Sequence, residues 1–196
     1  GEKSGALLNQ VFGTVPTAGL FVRVADVFVL GGRWCADENF LVFGAAAAVN
    51  SFRARLAEAG AGPGDFAALE FARVDAGIPA VPVDVGPGDL PNEAGLDEVA
   101  ISYTKGCYLG QEVMARLKNL GQVRRRLQVV SGEGALPVSR SALYQGDKKV
   151  GELRSVAGHG QEYRGLAMIS LVNFQPGVGL SLEPLGKPVM TVRAHG

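Results

Sequence analysis

The chain has 196 residues with 19 basic and 19 acidic side chains, so its formal net charge is zero. Hydrophobic residues make up 47% of the sequence, which is enough for a folded core. No apolar run approaches the ~18 residues of a membrane span, so we expect no membrane association. The composition also excludes a disordered tail, a coiled-coil or collagen-like rod and a disulfide-stapled miniprotein. Two cysteines, Cys35 and Cys107, fit a reducing compartment, and we expect a cytoplasmic protein.

The zero net charge conceals an asymmetry along the chain. Residues 1–98 contain 6 basic and 13 acidic side chains, whereas residues 99–196 contain 13 basic and 6 acidic ones. Either the basic half binds an anionic partner, or the two halves attract each other. The composition alone does not decide between these two interpretations.

The first third of the chain predicts strands followed by helix. Residues 20–31 are rich in valine and phenylalanine and are broken at Asp26, which is typical of two strands joined by a turn. Residues 39–43 predict a third strand, and apolar residues recur at helical spacing after Gly44. Residues 66–74 are apolar but too short to distinguish a helix from a strand.

The rest of the chain changes character twice. Residues 77–97 hold four prolines and four glycines and predict a loop, which either connects domains or forms a wall of a binding site. Residues 107–118 predict a helix with Val113, Met114 and Leu117 as its apolar stripe. After residue 120, short β-rich segments separated by turn residues predict a small antiparallel β-barrel or sandwich.

Residues 105–112, with the sequence KGCYLGQE, carry the clearest chemistry. Cys107 lies two residues from the ammonium of Lys105, and a neighbouring cation favours the thiolate, so this thiol is a candidate nucleophile or redox group. Gln111 and Glu112 fall at the predicted start of a helix, where free N–H groups favour an anionic ligand or an acidic side chain. The structural alternative is a helix start beside a buried cysteine.

The same segment resembles the signature of the folate-binding YgfZ family. That family is a branch of the glycine-cleavage T-protein (aminomethyltransferase-like) superfamily and is linked to iron–sulfur cluster maintenance. Residues 73–79 (RVDAGIP), residues 90–93 (LPNE) and residues 151–155 (GELRS) resemble further family segments in the same order. Asp75 departs from the family's usual glutamate, which puts the contact with the pterin of folate in doubt.

The resemblance implies an α+β fold class with three parts. These are a partial ferredoxin-like α+β domain of the folate-binding type over residues 1–76, a connecting loop and cysteine-motif helix over residues 77–120, and a small antiparallel β-barrel over residues 121–196. Family members carry a further stretch before the segment that matches residues 20–70, so the chain looks N-terminally short. A shortened domain exposes apolar surface, which predicts a homodimer that covers it.

The implied function is tetrahydrofolate binding in support of the assembly or repair of iron–sulfur proteins, by one-carbon or thiol chemistry at Cys107. Its partners are folate and iron–sulfur proteins or their assembly machinery. Cys107 is the expected reactive thiol and Lys105 its electrostatic activator. The candidate folate-binding residues are Arg73, Asp75, Tyr108, Gln111, Glu112 and Arg116. Whether the chain is an enzyme stays open. One alternative is an aminomethyltransferase of the glycine cleavage system, and the other is a non-catalytic interaction module.

Two further groups of side chains have competing interpretations. A basic cluster runs from Arg116 to Arg126, and strand alternation places Arg124 and Arg126 on one side and Arg125 on the other. A solvated strand edge, pairing with the acidic half and a site for the glutamate tail of folate are all open, and nucleic acid is the least favoured partner because no recognised motif is present. The histidines lie near neither cysteine, so no metal site is expected.

Overall fold

The computed structural model describes residues 1–121 and 123–193, except for the side chains of Glu98, Asn119 and Leu120. The chain forms two compact units, Gly1–Ile78 and Pro79–Gly196. Within the described residues, every helix is too short or too polar to span a bilayer. The three-part division at residues 76 and 120 stays a prediction.

The sheet of the first unit has three antiparallel strands in the order β1-β2-β3. These are β1 (Phe21–Val24), β2 (Val27–Gly31) and β3 (Phe40–Gly44). The two-residue turn between β1 and β2 contains Ala25 in the left-handed region, with φ of 50°. The predicted strands, including the break at Asp26, are therefore confirmed.

Two helices, α1 (Ser4–Phe12) and α2 (Ala46–Glu58), pack with this sheet around a shared core. The rings of Phe12 and Phe52 stack with centroids 4.1 Å apart. The fully buried members of the core are Leu8, Val24, Val27, Val29 and Phe52. The sequence predicted α2 but offered no element before residue 20, so α1 is an addition.

The third helix, α3 (Phe66–Asp75), settles the ambiguity over residues 66–74. Asp65 precedes it in an extended conformation, and its carboxylate accepts a hydrogen bond from the backbone N–H of Ala68 at 2.7 Å. A side chain that satisfies a free N–H of the first turn stabilises a helix start by about 1 kcal/mol. The Asp65 cap therefore favours a helix over a strand for residues 66–74.

The outer face of the first sheet is apolar and exposed. Phe28 on β2 lies beside Phe21 and Phe43, with ring centroids 6.0 and 5.5 Å away. The three rings keep 63%, 39% and 49% of their surface exposed, for Phe21, Phe28 and Phe43 respectively. This is apolar surface of the kind that the homodimer prediction needs.

The second unit contains a five-stranded antiparallel sheet in the order β5-β6-β7-β4-β8. Its strands are β4 (Arg125–Glu133), β5 (Ala142–Gln145), β6 (Lys148–His159), β7 (Glu162–Ser170) and β8 (Met190–Val192). The prediction of short antiparallel strands after residue 120 is confirmed, and with it the α+β class.

The two edges of this sheet are joined through a short extended segment. Ser181 exchanges backbone hydrogen bonds with Tyr144 of β5, at 2.9 and 3.0 Å, and Leu180 donates to Met190 of β8 at 2.8 Å. The sheet therefore curls around a buried core in the manner of a barrel. That core consists of Val130, Leu143, Val150, Leu153, Tyr163, Ala167, Ile169, Leu180 and Met190.

The segment between α3 and the second sheet is a loop with two short helical pieces, followed by the helix of the cysteine motif. The short pieces are a 3-10 helix (Pro91–Ala94) inside the predicted loop and α4 (Asp97–Ala100) at its end. The predicted helix is α5 (Gln111–Leu120), which begins four residues later than the predicted start at residue 107. A cis peptide bond joins Val81 to Pro82. Proline at the first position of the 3-10 helix has no N–H that needs a partner, which suits it to a helix start.

Ion pairs fasten this segment to the five-stranded sheet within the second unit. The buried carboxylate of Glu93 accepts hydrogen bonds from Arg125 Nε at 2.9 Å and Nη2 at 2.7 Å. Asp89 Oδ1 lies 3.3 Å from Nη2 of both Arg125 and Arg154. The Glu93 carboxylate raises the pKa of the Arg125 guanidinium above its ordinary value. For these residues, the acidic and basic halves of the sequence do attract each other.

Candidate functional site

The cysteine motif, residues 105–112, contains a turn that only glycine accommodates easily. Gly110 has φ of 87° and directly precedes Gln111, the first residue of α5. The N–H of Gln111 donates to the carbonyl of Tyr108 at 3.2 Å, and the N–H of Met114 donates to the carbonyl of Gly110 at 3.1 Å. The left-handed backbone at Gly110 therefore turns the chain sharply from the thiol-bearing segment into the helix.

The two thiols occupy different environments. Cys107 is exposed, which contradicts the structural alternative of a buried cysteine beside a helix start. Cys35 is half-buried, and its Sγ donates to the carbonyl of Asp37 at 3.5 Å. Both are free cysteines. Solvent reagents therefore have more direct access to Cys107 than to Cys35.

Lys105 contacts the aromatic ring that follows the cysteine. Its Nζ lies 4.8 Å from the centroid of the Tyr108 ring, and its backbone N–H donates to Ser102 Oγ at 3.2 Å. The hydroxyl of Tyr108 is buried and has no hydrogen-bond partner in the described part of the chain. Buried polar groups usually have a partner, so this hydroxyl is available to a ligand or an ordered water.

Helix α5 presents the remaining candidates of the second unit. Gln111 and Glu112 lie in its first turn, where a carboxylate is favoured by the helix dipole. Arg116 is exposed and makes no ion pair with the described residues. Of the predicted apolar stripe, Met114 is buried, whereas Val113 is 51% exposed, so the prediction that Val113 packs inward is wrong. With Leu109, which is fully exposed, Val113 adds apolar surface next to the motif.

Arg73 and Asp75 lie on α3, in the first unit. The guanidinium of Arg73 is 3% exposed and is held by the Glu70 carboxylate, with Nε to Oε2 at 2.9 Å, and by the carbonyl of Ile78. The hydrogen bond from Arg73 keeps the pKa of Glu70 below its ordinary value of 4.5. Burial of the Glu70 carboxylate opposes this shift, and charge attraction to Arg73 adds to it. Arg73 thus fixes the end of α3 and the turn after it, while Asp75 is half-buried at the last helical position.

Lys118 and Tyr103 form a contact that the sequence did not predict. The Lys118 Nζ lies 4.1 Å from the centroid of the Tyr103 ring. In residues 1–121 and 123–193, no three His, Cys, Asp or Glu side chains are grouped as metal ligands require. His195 lies outside the described residues.

Comparisons with known proteins agree with the motif and the fold. Residues 124–194 match the family model of the CAF17 C-terminal beta-barrel domain. The mitochondrial iron-sulfur cluster assembly factor IBA57 of Mus musculus is 44% identical over 78 residues, which are 39% of this chain and 22% of that protein. The tRNA-modifying protein YgfZ of Colwellia psychrerythraea is 25% identical over 162 residues, which are 81% of this chain and 48% of that protein. The chain is therefore similar to the YgfZ-type family.

The fold of the chain also has a solved counterpart. The structure of the glycine cleavage system aminomethyltransferase T from Bartonella henselae superposes with a TM-score of 0.70 over 96% of this chain and 55% of that chain. The two sequences are 16% identical, so the likeness shows the fold alone. The chain thus spans about half the length of this structure, and it spans less than half the length of each curated relative named above.

Proposed function

We propose that the chain binds tetrahydrofolate and assists the assembly or repair of iron–sulfur proteins. The observation that carries the proposal is the motif KGCYLGQE, which presents the exposed thiol of Cys107 beside the left-handed turn at Gly110. The mouse relative is named as an iron-sulfur cluster assembly factor and the Colwellia relative as a tRNA-modifying protein. Similarity to the mouse protein supports the iron–sulfur role that we propose for this chain.

The side chains around the motif have the chemistry that tetrahydrofolate requires. The ligand has N–H donors on its pterin and carboxylates on its glutamate. Glu112 and the amide oxygen of Gln111 can accept hydrogen bonds from the pterin N–H groups, and Arg116 can bind a glutamate carboxylate. The Tyr108 hydroxyl lacks a partner among the described residues. Arg73 fits less well, because a ligand must displace Glu70 from its guanidinium. When bound, tetrahydrofolate supplies a carrier for one-carbon groups.

The first prediction concerns the affinity for tetrahydrofolate. We expect calorimetric titration of the full chain to give a dissociation constant in the micromolar range. Arg116→Gln should weaken binding about tenfold, since it removes a charge-assisted contact to a carboxylate. Lys148→Gln is the matched control, because Lys148 is also an exposed cation and lies outside the motif. The absence of heat at high micromolar ligand would contradict the folate proposal.

The second prediction concerns Cys107. In cells that lack their own relative of this family, the chain should restore the activity of an iron–sulfur enzyme, and Cys107→Ser should remove most of that gain because serine is a much poorer nucleophile at neutral pH. Cys35→Ser is the control and should restore activity fully, since Cys35 is the half-buried thiol. Equal restoration by both variants contradicts a role for the Cys107 thiol.

The rate of alkylation of Cys107 tests whether Lys105 activates its thiol. Alkylation of Cys107 by iodoacetamide should be faster than that of Cys35 and several-fold slower in Lys105→Gln, because the ammonium stabilises the thiolate. An unchanged rate in Lys105→Gln contradicts electrostatic activation and leaves Lys105 as the partner of the Tyr108 ring.

The remaining expectations stay predictions. The exposed rings of Phe21, Phe28 and Phe43 support the homodimer, which a monomeric mass in light scattering contradicts. The cytoplasmic location is supported by two free cysteines, while the mouse relative is named as mitochondrial. The aminomethyltransferase alternative has only the similarity of fold in its favour. The interaction-module alternative is supported by the exposed side chains of Leu109 and Val113.

A further inference from the structure

The second unit contains an open cleft of about 1060 Å³ that the cysteine motif does not line. We call it the cationic cleft, because Lys118 of α5 and Arg124 and Arg126, at the start of β4, lie on its walls. Tyr103, Asn92 and Asp97 line it as well. Its volume is slightly above the range of about 300–1,000 Å³ that small-molecule sites occupy.

The three cations of the cationic cleft make no ion pair with the described residues. Arg124 and Arg126 are exposed. The Lys118 Nζ lies 4.1 Å from the centroid of the Tyr103 ring. Arg125, between them in sequence, faces the other way and is bound by Glu93 in two hydrogen bonds. Strand alternation therefore separates one structural arginine from two that are available to a ligand.

The charge of the cationic cleft favours a doubly charged anion. Asp97 is its one acidic side chain among the described lining residues, so three positive charges and one negative charge leave a net charge of +2. A phosphate ester carries a charge of about −1.5 to −2 near neutral pH and binds arginine through two parallel hydrogen bonds. A phosphate group therefore matches the cleft in both charge and geometry.

The other polar groups of the cationic cleft are acceptors. Asn92 Oδ1 is buried and has no hydrogen-bond partner in the described residues, and Asp97 offers a carboxylate. A ligand with hydroxyl or amino donors close to its phosphate satisfies both. The Tyr103 ring adds an aromatic surface on which a flat heterocycle can pack, with the Lys118 ammonium beside it.

We propose that the cationic cleft binds a nucleoside phosphate. Its phosphate contacts Arg124 and Arg126, its ribose hydroxyl groups donate to Asn92 and Asp97, and its base packs on Tyr103. This chemistry is shared by a free nucleotide and by a nucleotide of an RNA strand. The proposal is separate from tetrahydrofolate binding, because none of these residues belongs to the cysteine motif.

The test is calorimetric titration of the full chain with adenosine 5′-monophosphate at low salt. We expect a dissociation constant below about 1 mM, and at least a tenfold loss of affinity in Arg124→Gln/Arg126→Gln. The control variant Lys148→Gln/Lys149→Gln removes the same charge from two exposed lysines outside the cleft and should change the affinity less than twofold. Both double variants alter exposed side chains, so both should fold.

Several outcomes overturn the proposal. It fails if adenosine monophosphate gives no heat at 5 mM, if both double variants lose affinity equally, or if inorganic phosphate or triglutamate binds as tightly as the nucleotide. Unchanged tetrahydrofolate affinity in Arg124→Gln/Arg126→Gln supports a separate site, and loss of folate affinity alone overturns the nucleotide assignment. A ten-nucleotide RNA that binds far more tightly than the monophosphate assigns the ligand to RNA, and equal affinity assigns it to the free nucleotide.

Discussion

Glu93→Ala should lower the free energy of unfolding by about 3 kcal/mol. The carboxylate of Glu93 is 6% exposed and binds both Nε and Nη2 of Arg125, and it also accepts from the backbone N–H of Leu90 at 2.9 Å. Its removal leaves Arg125 with Asp89 and with a long hydrogen bond to the carbonyl of Gly88, and it releases the start of the 3-10 helix. Arg125 is 39% exposed, so water recovers part of the loss and the value lies at the low end for a broken buried pair.

Urea denaturation followed by circular dichroism measures this effect in the full chain. The matched control is Glu162→Ala, because Glu162 also pairs with an arginine, Arg164, at 2.8 Å, but is 55% exposed. It should cost less than about 1 kcal/mol. Trp34, the single tryptophan, lies in the first unit, so its fluorescence reports separately on that unit.

A double-mutant cycle with Arg125→Ala isolates the interaction between the two side chains. We expect a coupling energy of about 1–3 kcal/mol between Glu93 and Arg125, and a smaller loss in the double variant than the two single losses together. Equal losses for Glu93→Ala and Glu162→Ala contradict the structural role of this ion pair. Such a result would mean that Glu93 of the LPNE segment does not stabilise the fold through Arg125.

Gly132→Ala should destabilise the second unit by about 3–4 kcal/mol, since overpacking and a lost hydrogen bond act together. Gly132 lies on β4 between Tyr163 of β7 and Met190 of β8. A Cβ at this position overlaps the Tyr163 hydroxyl and ring and the carbonyl oxygen of Val189. Tyr163 is 1% exposed and donates from its hydroxyl to that same carbonyl at 2.7 Å, and its burial raises its pKa.

Gly158→Ala provides the control on the neighbouring strand. Gly158 also lies opposite Tyr163, on β6, but a Cβ there first meets Leu136 Cδ1, the end of a flexible side chain, at 3.3 Å. We expect a change of less than about 1 kcal/mol. Tyr163→Phe should recover part of the loss in Gly132→Ala, because it removes one overlapping atom. A Gly132→Ala variant that is as stable as the original chain in thermal unfolding contradicts the close packing of Gly132 against Tyr163 and Val189.

Local patterns predicted the elements whose signals are contained in a few residues. The break at Asp26, the helix after Gly44 and the opposite facing of Arg124 and Arg125 follow from strand and helix periodicity, and the structure confirms them. Helix α1 was missed although its apolar residues, among them Leu8 and Phe12, recur at helical spacing. Short windows near the start of a chain carry little context with which to weigh such a pattern.

The parts that the sequence did not predict depend on residues far apart in the chain. The pairing of Glu93 with Arg125 joins positions 32 residues apart, and no local pattern identifies a partner at that separation. The exposure of Cys107 and Val113 is likewise set by packing rather than by spacing. The motif therefore predicts which residues carry chemistry, whereas the structure was needed to find which arginines make no ion pair with the described residues.

The joining of the sheet edges at Leu180 and Ser181 has a consequence for synthesis on the ribosome. Strand β5 leaves the ribosome early, but its outer partner Ser181 lies 37 residues beyond Tyr144, and β8 follows later still. Until then the backbone N–H and C=O groups of Tyr144 lack the strand partner that Ser181 provides, and an open sheet edge is the part of a sheet most prone to join a wrong strand. Contacts across such separations also form slowly. We therefore expect the nascent chain to be more prone to wrong strand pairing than the finished unit.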